Sequence, residues 1–338
     1  MSKQLVIINN ERVFSDKNLF YCDNIDMKSI PEGLNENFEV KLILRKSKIK
    51  GSHLINLNKI VLSSNIFSFF INIFKTFKTK KTNYLLISIT PYTFLAYIFL
   101  LIFRKKIFIY LRSNGHEEYR AILGFIGPII YHLMYIFVTF KSNIIVCEKK
   151  LIGNKKNDLV YPSQLDPNWF KDYKKPLLDK PRLLYVGRIK VEKGIFSLIK
   201  IIEEMVENLE LSVVGKPENS KLKNKKINYL GYQNNAHALR QIYDEHNIFI
   251  LPSFTESHPQ ALDESLARGR PVILFEEISH VVKNKQGVFI SKRNSASLSK
   301  TIDYIMSNYS NIQNSMKKNN LPTRKNFISQ MSNILSRN

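Results

Sequence analysis

Residues 253–272, SFTESHPQALDESLARGRPV, decide the fold. They follow the apolar run Ile248-Phe249-Ile250-Leu251, which reads as a buried parallel strand ending at Pro252. A polar loop comes next, with Pro259 placed for the first turn of a helix that runs to about Arg268. Gly269 is a left-handed stop, and Pro271 forbids continuation. Glu256 in the loop and Glu264 on the helix are separated by seven residues. A ligand over the helix N-terminus could meet both carboxylates while its phosphates face the free N–H groups of the first turn. Two acids at this spacing on a solvated helix face are also common, so the pattern needs a second support.

That support lies upstream, in residues 183–194, LLYVGRIKVEKG: a strand, a Gly-Arg turn, then Lys-Gly opening a helix. Together the two stretches resemble the retaining nucleotide-sugar glycosyltransferases of family 4, which have the GT-B architecture. The shared patterns are Gly-Arg-x4-Lys-Gly (Gly187, Arg188, Lys193, Gly194) and the Glu-x7-Glu turn followed by Ala-x-Gly-x-Pro-Val at residues 267–272. The resemblance is specific over residues 183–290 and loose before them. It implies an α/β protein of two Rossmann-like, doubly wound parallel-sheet domains facing a cleft. It also implies retaining transfer, of the hexosyltransferase class, from a nucleotide-diphosphate sugar.

The resemblance assigns roles to individual residues. Arg188 would fork onto phosphate oxygens and Lys193 would add a point charge beside it. With the helix N-terminus at His258, Pro259, Gln260 and Ala261, they would stabilise the departing diphosphate. Glu264 would hold the ribose hydroxyls and Glu256 would lie near the donor sugar. Gly187 lies in the same loop as Arg188. Gly215 with Lys216, and Gly231 with Tyr232, sit at strand ends where backbone groups would contact the base. Thr255, Ser257 and His258 either touch the sugar or cap the helix. No Asp-x-Asp lies in a fitting position, so neither a metal nor another cofactor is expected.

The chain has 338 residues, enough for two cores, and is 44% apolar and 23% charged, the mix of a folded soluble protein. Cys22 and Cys147 have no metal-ligand spacing, and a reducing cytoplasm fits them. MSKQLVIINNERV at the start lacks the apolar core and cleavage site of a signal peptide. The net charge of +23 suits nucleic acid, an anionic membrane or an anionic substrate, and Lys, Asn and Ile enrichment throughout accounts for part of it. With no nucleic-acid-binding motif, an anionic cytoplasmic membrane face is the better partner.

In chain order, residues 5–8 read as the first strand, ending at Asn9-Asn10 where family members carry a glycine-rich loop that this chain lacks. A second strand covers 40–44, and a helix with a wide apolar surface covers 66–77. Two windows, 84–103 and 121–140, contain no Asp, Glu, Lys or Arg, and each has the length of a bilayer span. Thr90-Pro91 splits the first into a strand and a short helix, while Gly124, Gly127, Pro128 and His132 interrupt the second. The reading is therefore buried strands with helices around them, some apolar surface resting on a lipid interface; spanning helices are the alternative.

Between these windows a strand at 106–111 precedes RSNGHEEY, residues 112–119, at the carboxyl edge of the sheet. His116 is the catalytic or positioning candidate there, with Arg112, Asn114 and Glu117 for the acceptor; the competing role for His116 is to cap the next helix.

The organisation expected is an acceptor domain over 1–170, a linker at 171–181, a nucleotide-sugar domain over 182–321 and a C-terminal helix over 322–338 crossing back. The second domain alternates: strand 182–186, helix 194–206, strands 211–214 and 227–230, helix 236–246, the glutamate turn, strand 272–275, a strand near 287–290 and helix 297–306. No GxGxxG follows either first strand, which disfavours a dinucleotide oxidoreductase. The function expected is transfer of a sugar to a lipid-linked or polysaccharide acceptor in O-antigen or capsule assembly, by a cytoplasmic protein peripheral to the inner face of the cell membrane. The alternatives are an inactive scaffold of the same fold and a basic nucleic-acid binder.

Overall fold

The computed structural model describes residues 3–78, 81–205, 209–215 and 227–337. The chain divides into two units, Met1–Pro162 with Arg324–Asn338, and Ser163–Thr323.

The first unit runs β1 (Gln4–Asp16), β2 (Leu19–Cys22), α1 (Asp26–Leu34), β3 (Glu39–Lys46), β4 (His53–Ile55), β5 (Ile60–Ser63), α2 (Ile66–Phe74), β6 (Thr82–Ile87), α3 (Pro91–Ile102), β7 (Lys106–Leu111), α4 (Gly115–Leu123), α5 (Gly127–Phe140), β8 (Asn143–Val146) and β9 (Asp158–Leu159). Its parallel sheet has the order β5-β3-β1-β6-β7-β8-β9. Leu5 to Ile8 are fully buried, as a central parallel strand covered on both faces requires. The strand does not stop at Asn9-Asn10. It continues to Asp16 through an irregularity between Ile8 and Arg12, and its far end pairs antiparallel with β2, which in turn pairs with β4. Asn9 makes the continuation possible: its amide donates to the Ile87 carbonyl (2.6 Å) and its Oδ1 accepts from the Glu11 N–H (2.7 Å).

Both apolar windows fold as short elements. Thr90 and Thr93 form a capping box at the start of α3, with Pro91 in the first turn, so the first window becomes β6 and a helix of 12 residues. In the second, Gly124 takes φ +65° and ψ −143°, and α4 and α5 separate there. That conformation is open to glycine and costly to residues with a Cβ.

The second unit runs β10 (Arg182–Val186), α6 (Ile195–Glu204), β11 (Glu210–Val214), β12 (Ile227–Gly231), α7 (Ala236–Glu245), β13 (Ile248–Leu251), α8 (Gln260–Ala267), β14 (Val272–Phe275), β15 (Val288–Ser291), α9 (Ser295–Ser307) and α10 (Tyr309–Met316). The expected end of α6 at Val206 lies outside the described residues. The sheet order is β12-β11-β10-β13-β14-β15, parallel throughout. Strand order reverses between β1 and β6 in one unit and between β10 and β13 in the other, the points where open α/β sheets bind ligands. The last helix, α11 (Arg324–Ser336), belongs to the first unit: Phe327, Met331 and Leu335 share a core with Met27, Ile30 and Leu34 of α1.

The Arg-Gly-Arg-Pro segment after α8 serves the fold. Arg268 and Arg270 are buried at 2% and 1% exposure. Arg268 grips the Asp244 carboxylate with Nε (3.0 Å) and Nη2 (2.5 Å) and donates from Nη1 to the carbonyls of Trp169 (3.1 Å) and Lys171 (2.7 Å). Arg270 donates to the carbonyls of Tyr243, Asp244, Arg268 and Lys174. The pair therefore fastens the chain before β10 to the sheet. Gly269 between them has φ +66°, as the left-handed helix stop requires.

Candidate active site

The loops after β10 and β13 stand side by side at the crossover of the second sheet. Phe254 N–H donates to the Glu192 carbonyl (3.0 Å) across them. Gly194 has φ +66°, and a Cβ there would lie 1.8 Å from the Pro252 carbonyl oxygen, so only glycine lets the loops approach this closely. Arg293 braces the second loop: Nη2 donates to the Pro252 carbonyl (3.0 Å), Nε to Glu277 Oε1 (2.6 Å), and the guanidinium sits 4.2 Å from the Phe254 ring centroid.

This support brings Lys193 onto Glu256. Lys193 Nζ lies 2.6 Å from Glu256 Oε1, and Ser253 Oγ donates to the same oxygen (2.8 Å). His280 Nε2 lies 2.8 Å from the Glu256 carbonyl oxygen. Arg188 is exposed on the first loop, and its carbonyl accepts from the Tyr185 hydroxyl (2.7 Å). Burial pushes that hydroxyl's pKa up, with Glu256 raising it further, Arg188 lowering it and Glu192 raising it.

Two helices start at these loops. Neither α6, which begins after Gly194, nor α8, which begins after Pro259, has a side-chain cap among the described residues. By contrast α7 and α9 are capped by Asn235 and Asn294. Uncapped N-termini leave N–H donors and the positive ends of two helix dipoles at the crossover. Pro259 occupies the position before the helix, not its first turn, because α8 starts at Gln260. Ser257 and Gln260 are half-buried in the same turn, as is Ala261.

Glu264 is engaged differently. Its Oε2 accepts from the hydroxyl of buried Tyr243 (3.1 Å), which also donates to the Ala261 carbonyl (3.2 Å). Desolvation raises the Glu264 carboxyl to about 7, the Tyr243 hydrogen bond pulling it down and the charge of Asp263 pushing it up. His258 turns toward buried Asp263, Nε2 to Oδ2 3.3 Å, and Lys285 Nζ lies 2.6 Å from the other oxygen. Burial alone would raise the Asp263 pKa; His258 and Lys285 together hold it low.

Along the sheet edge, Gly187 N–H donates to the Val214 carbonyl (2.9 Å) and Gly215 N–H to the Gly231 carbonyl (3.0 Å). A Cβ on Gly215 would meet the Gly187 carbonyl oxygen at 2.0 Å. Tyr232 is exposed beside them, and Lys216 lies outside the described residues.

In the first unit, Arg112 Nη2 pairs with Asp26 Oδ2 (2.5 Å), and Asn114 Oδ1 caps α4 by accepting from the His116 N–H (3.2 Å). Glu117 is exposed on α4. The His116 ring packs 4.7 Å from Tyr131, with Nε2 3.2 Å from His132 Nδ1; burial and then His132 lower its pKa.

Sequence reading missed Ser253, His280 and Arg293 at the site, and Asp263 with Lys285 behind it. His280, Lys285 and Arg293 come from other segments with no local pattern to mark them, whereas Ser253 and Asp263 lie inside residues 253–272, next to the two glutamates.

Residues 167–321 match the family Glycosyl transferases group 1. Over 128 residues the chain is 32% identical to TuaC of Bacillus subtilis (strain 168), whose name assigns it to teichuronic acid biosynthesis as a glycosyltransferase. That match covers 37% of this chain and 33% of the relative, so the chain spans about a third of the curated relative it matches. Among solved structures, the sucrose-phosphate synthase of Thermosynechococcus elongatus superposes with a TM-score of 0.69 at 15% identity, covering 98% of both chains. The Anabaena protein HepE in complex with UDP-glucose does so with a TM-score of 0.67 at 10% identity, again over 98% of both. The chain therefore has the GT-B fold of two Rossmann-like domains, with the match to the group 1 glycosyl transferases lying across its second unit.

Proposed function

We propose that the protein is a metal-independent, retaining glycosyltransferase of the hexosyltransferase class. It takes a sugar from a nucleotide-diphosphate sugar and gives it to a lipid-linked or polysaccharide acceptor in cell-surface glycan assembly, such as O-antigen or capsule. It works in the cytoplasm, peripheral to the inner face of the cell membrane, and nucleic acid is not a partner. The observation that carries the reading is the Lys193–Glu256 contact at a sheet crossover flanked by two helix N-termini that no side chain among the described residues caps. The HepE complex with UDP-glucose and the name of TuaC support a nucleotide-sugar donor and a glycan product.

In this reading the diphosphate draws Lys193 away from Glu256 and lies against Arg188 and the N–H groups opening α8. Charge on the leaving group grows as the glycosidic bond breaks, so these donors bind the transition state more tightly than the ground state. Glu256, released from Lys193, turns to the donor sugar, and Glu264 meets the ribose. The acceptor hydroxyl attacks from the face the diphosphate leaves and passes its proton to the departing phosphate. His116, Arg112, Asn114 and Glu117 are assigned to the acceptor side. A trapped glycosyl adduct on Glu256 would contradict the front-face route.

Thermal shift against UDP, GDP, ADP and their sugars tests the donor class. One base series is expected to raise the Tm by mass action; no shift with any of them, or DNA retention that nucleotide sugar does not compete, sinks the reading. Glu264 supplies a pH signature. Its folded-state pKa of about 7 lies above the ordinary 4.5, so the folded chain keeps a proton that the unfolded chain releases between those values. Stability therefore falls as pH rises through that window and levels off above it. Glu264→Gln removes the penalty and is expected to gain roughly 1–3 kcal/mol relative to the parent between pH 5 and pH 8. Urea unfolding at the two pH values measures it.

A further inference from the structure

Helices α2, α3 and α5 cover one face of the first sheet, with Phe69, Tyr97 and Met134 facing its core. The same helices and α4 also carry large apolar groups outward. Phe67 on α2, Ile102 on α3, Ile122 on α4 and Phe140 on α5 are each more than two-thirds exposed, and Phe125 between α4 and α5 reaches 83%. Single exposed apolar residues are ordinary; neighbouring helices that all present them are not.

By length and composition residues 115–140 would cross a membrane: 26 residues as one helix would reach about 39 Å, against roughly 30 Å of hydrocarbon. Glycine prevents the straight form. Besides the turn at Gly124, a Cβ on Gly127 would fall 1.9 Å from the Tyr119 carbonyl oxygen, and one on Gly115 would fall 2.1 Å from the Tyr131 ring. α5 is thus folded tightly back on α4. Its own 14 residues give about 21 Å, too short to cross.

Charge indicates what covers the face. Between Glu39 and Glu148 the sequence has sixteen Lys and Arg against two acids, Glu117 and Glu118. Three ammonium groups lie against aromatic rings of this face: Lys105 Nζ, just past α3, is 4.4 Å from the Phe77 ring centroid, Lys141 Nζ, just past α5, 5.8 Å from Phe140, and Lys155 Nζ, in the loop before β9, 5.0 Å from Tyr135. An apolar centre with ammonium groups at its edge fits a bilayer, acyl chains below and anionic headgroups around.

We propose that this face docks on an anionic membrane and that the α4–α5 hairpin is its insertion element, entering one leaflet with Phe125 at the tip. The proposal deepens and rests on the membrane location in the preceding section, and it assigns that location to one hairpin. The test uses no sugar transfer, so the two can fail separately.

The full chain is floated with vesicles of equal phosphatidylglycerol and phosphatidylcholine, or of phosphatidylcholine alone. Flotation is expected with the anionic vesicles at low salt, weakening as salt rises. The F125E/I129E pair and the K105E/K141E pair are each expected to lower partitioning about tenfold or more. Phe125, Ile129 and Lys141 are exposed and Lys105 is half-buried, all outside the packed core, so the Tm should change little and any nucleotide-induced shift should stay unchanged. A second measurement needs no loss of binding. F125W adds an indole that acyl-brominated lipid should quench, while the native Trp169, buried in the other unit, should not respond. A protein that stays soluble with both vesicle types at low salt, an unquenched indole, or a dimer in sedimentation equilibrium that F125E/I129E dissolves would overturn the proposal, the last assigning the face to a second copy of this chain.

Discussion

Lys193→Ala is expected to lower turnover of the activating nucleotide sugar by about 10²–10³, the loss typical of removing one preorganised donor to a developing anion. The effect should fall on kcat more than on KM, because the charge that Lys193 meets grows only as the glycosidic bond breaks. Its resting partner supplies the control. Lys193 Nζ and Ser253 Oγ both contact Glu256 Oε1, so Glu256→Gln keeps a hydrogen-bonding group beside the ammonium while removing the charge. If Lys193 merely positioned Glu256, then Lys193→Ala in the Glu256→Gln background would cost little more. If it binds the leaving group, most of its effect should survive there. Initial rates over the four proteins of this double-mutant cycle decide between the two. With side-chain exposures of only 19% and 12% the pair is largely buried, so Lys193→Ala also leaves the Glu256 carboxylate without its cation, and the fall in Tm that accompanies it should be relieved in the Glu256→Gln background.

Arg268→Ala should have the largest effect on stability, about 3–5 kcal/mol, because it strands the Asp244 carboxylate in the interior. The carbonyls of Trp169 and Lys171 lose their donor in the same step. Arg270 Nη2 remains 3.6 Å from Asp244 Oδ1, too long to replace the two-point grip. Arg268→Ala combined with Asp244→Ala should therefore be less destabilising than the sum of the single changes. Chemical unfolding followed by the fluorescence of Trp169 reports on this region directly, since its ring is buried 5.8 Å from that of Tyr243. A loss of less than about 1 kcal/mol in Arg268→Ala would show that the ion pair adds nothing beyond its own desolvation cost.

The sequence by itself determined the strand-turn-helix grammar of the second unit. The run at 248–251, the stop at Gly269 and the strand at 272–275 are local, and each follows from the residues that make it: apolar side chains buried on both faces, a left-handed glycine, a proline. Thr90-Pro91 likewise divided its apolar window without help from the rest of the chain, because a capping box closes within four residues. Tertiary structure decided what those signals cannot carry. β1 runs past Asn9 because the Ile87 carbonyl waits on another strand, and Lys193 meets Glu256 because β13 lies beside β10. Nothing local in the sequence marks Arg268 and Arg270 for the interior, yet they are buried against carbonyls nearly a hundred residues away. Dihedral preference and periodicity reach a few residues along the chain, whereas a hydrogen bond or an ion pair depends on distance in space, which only the packed sheets fix.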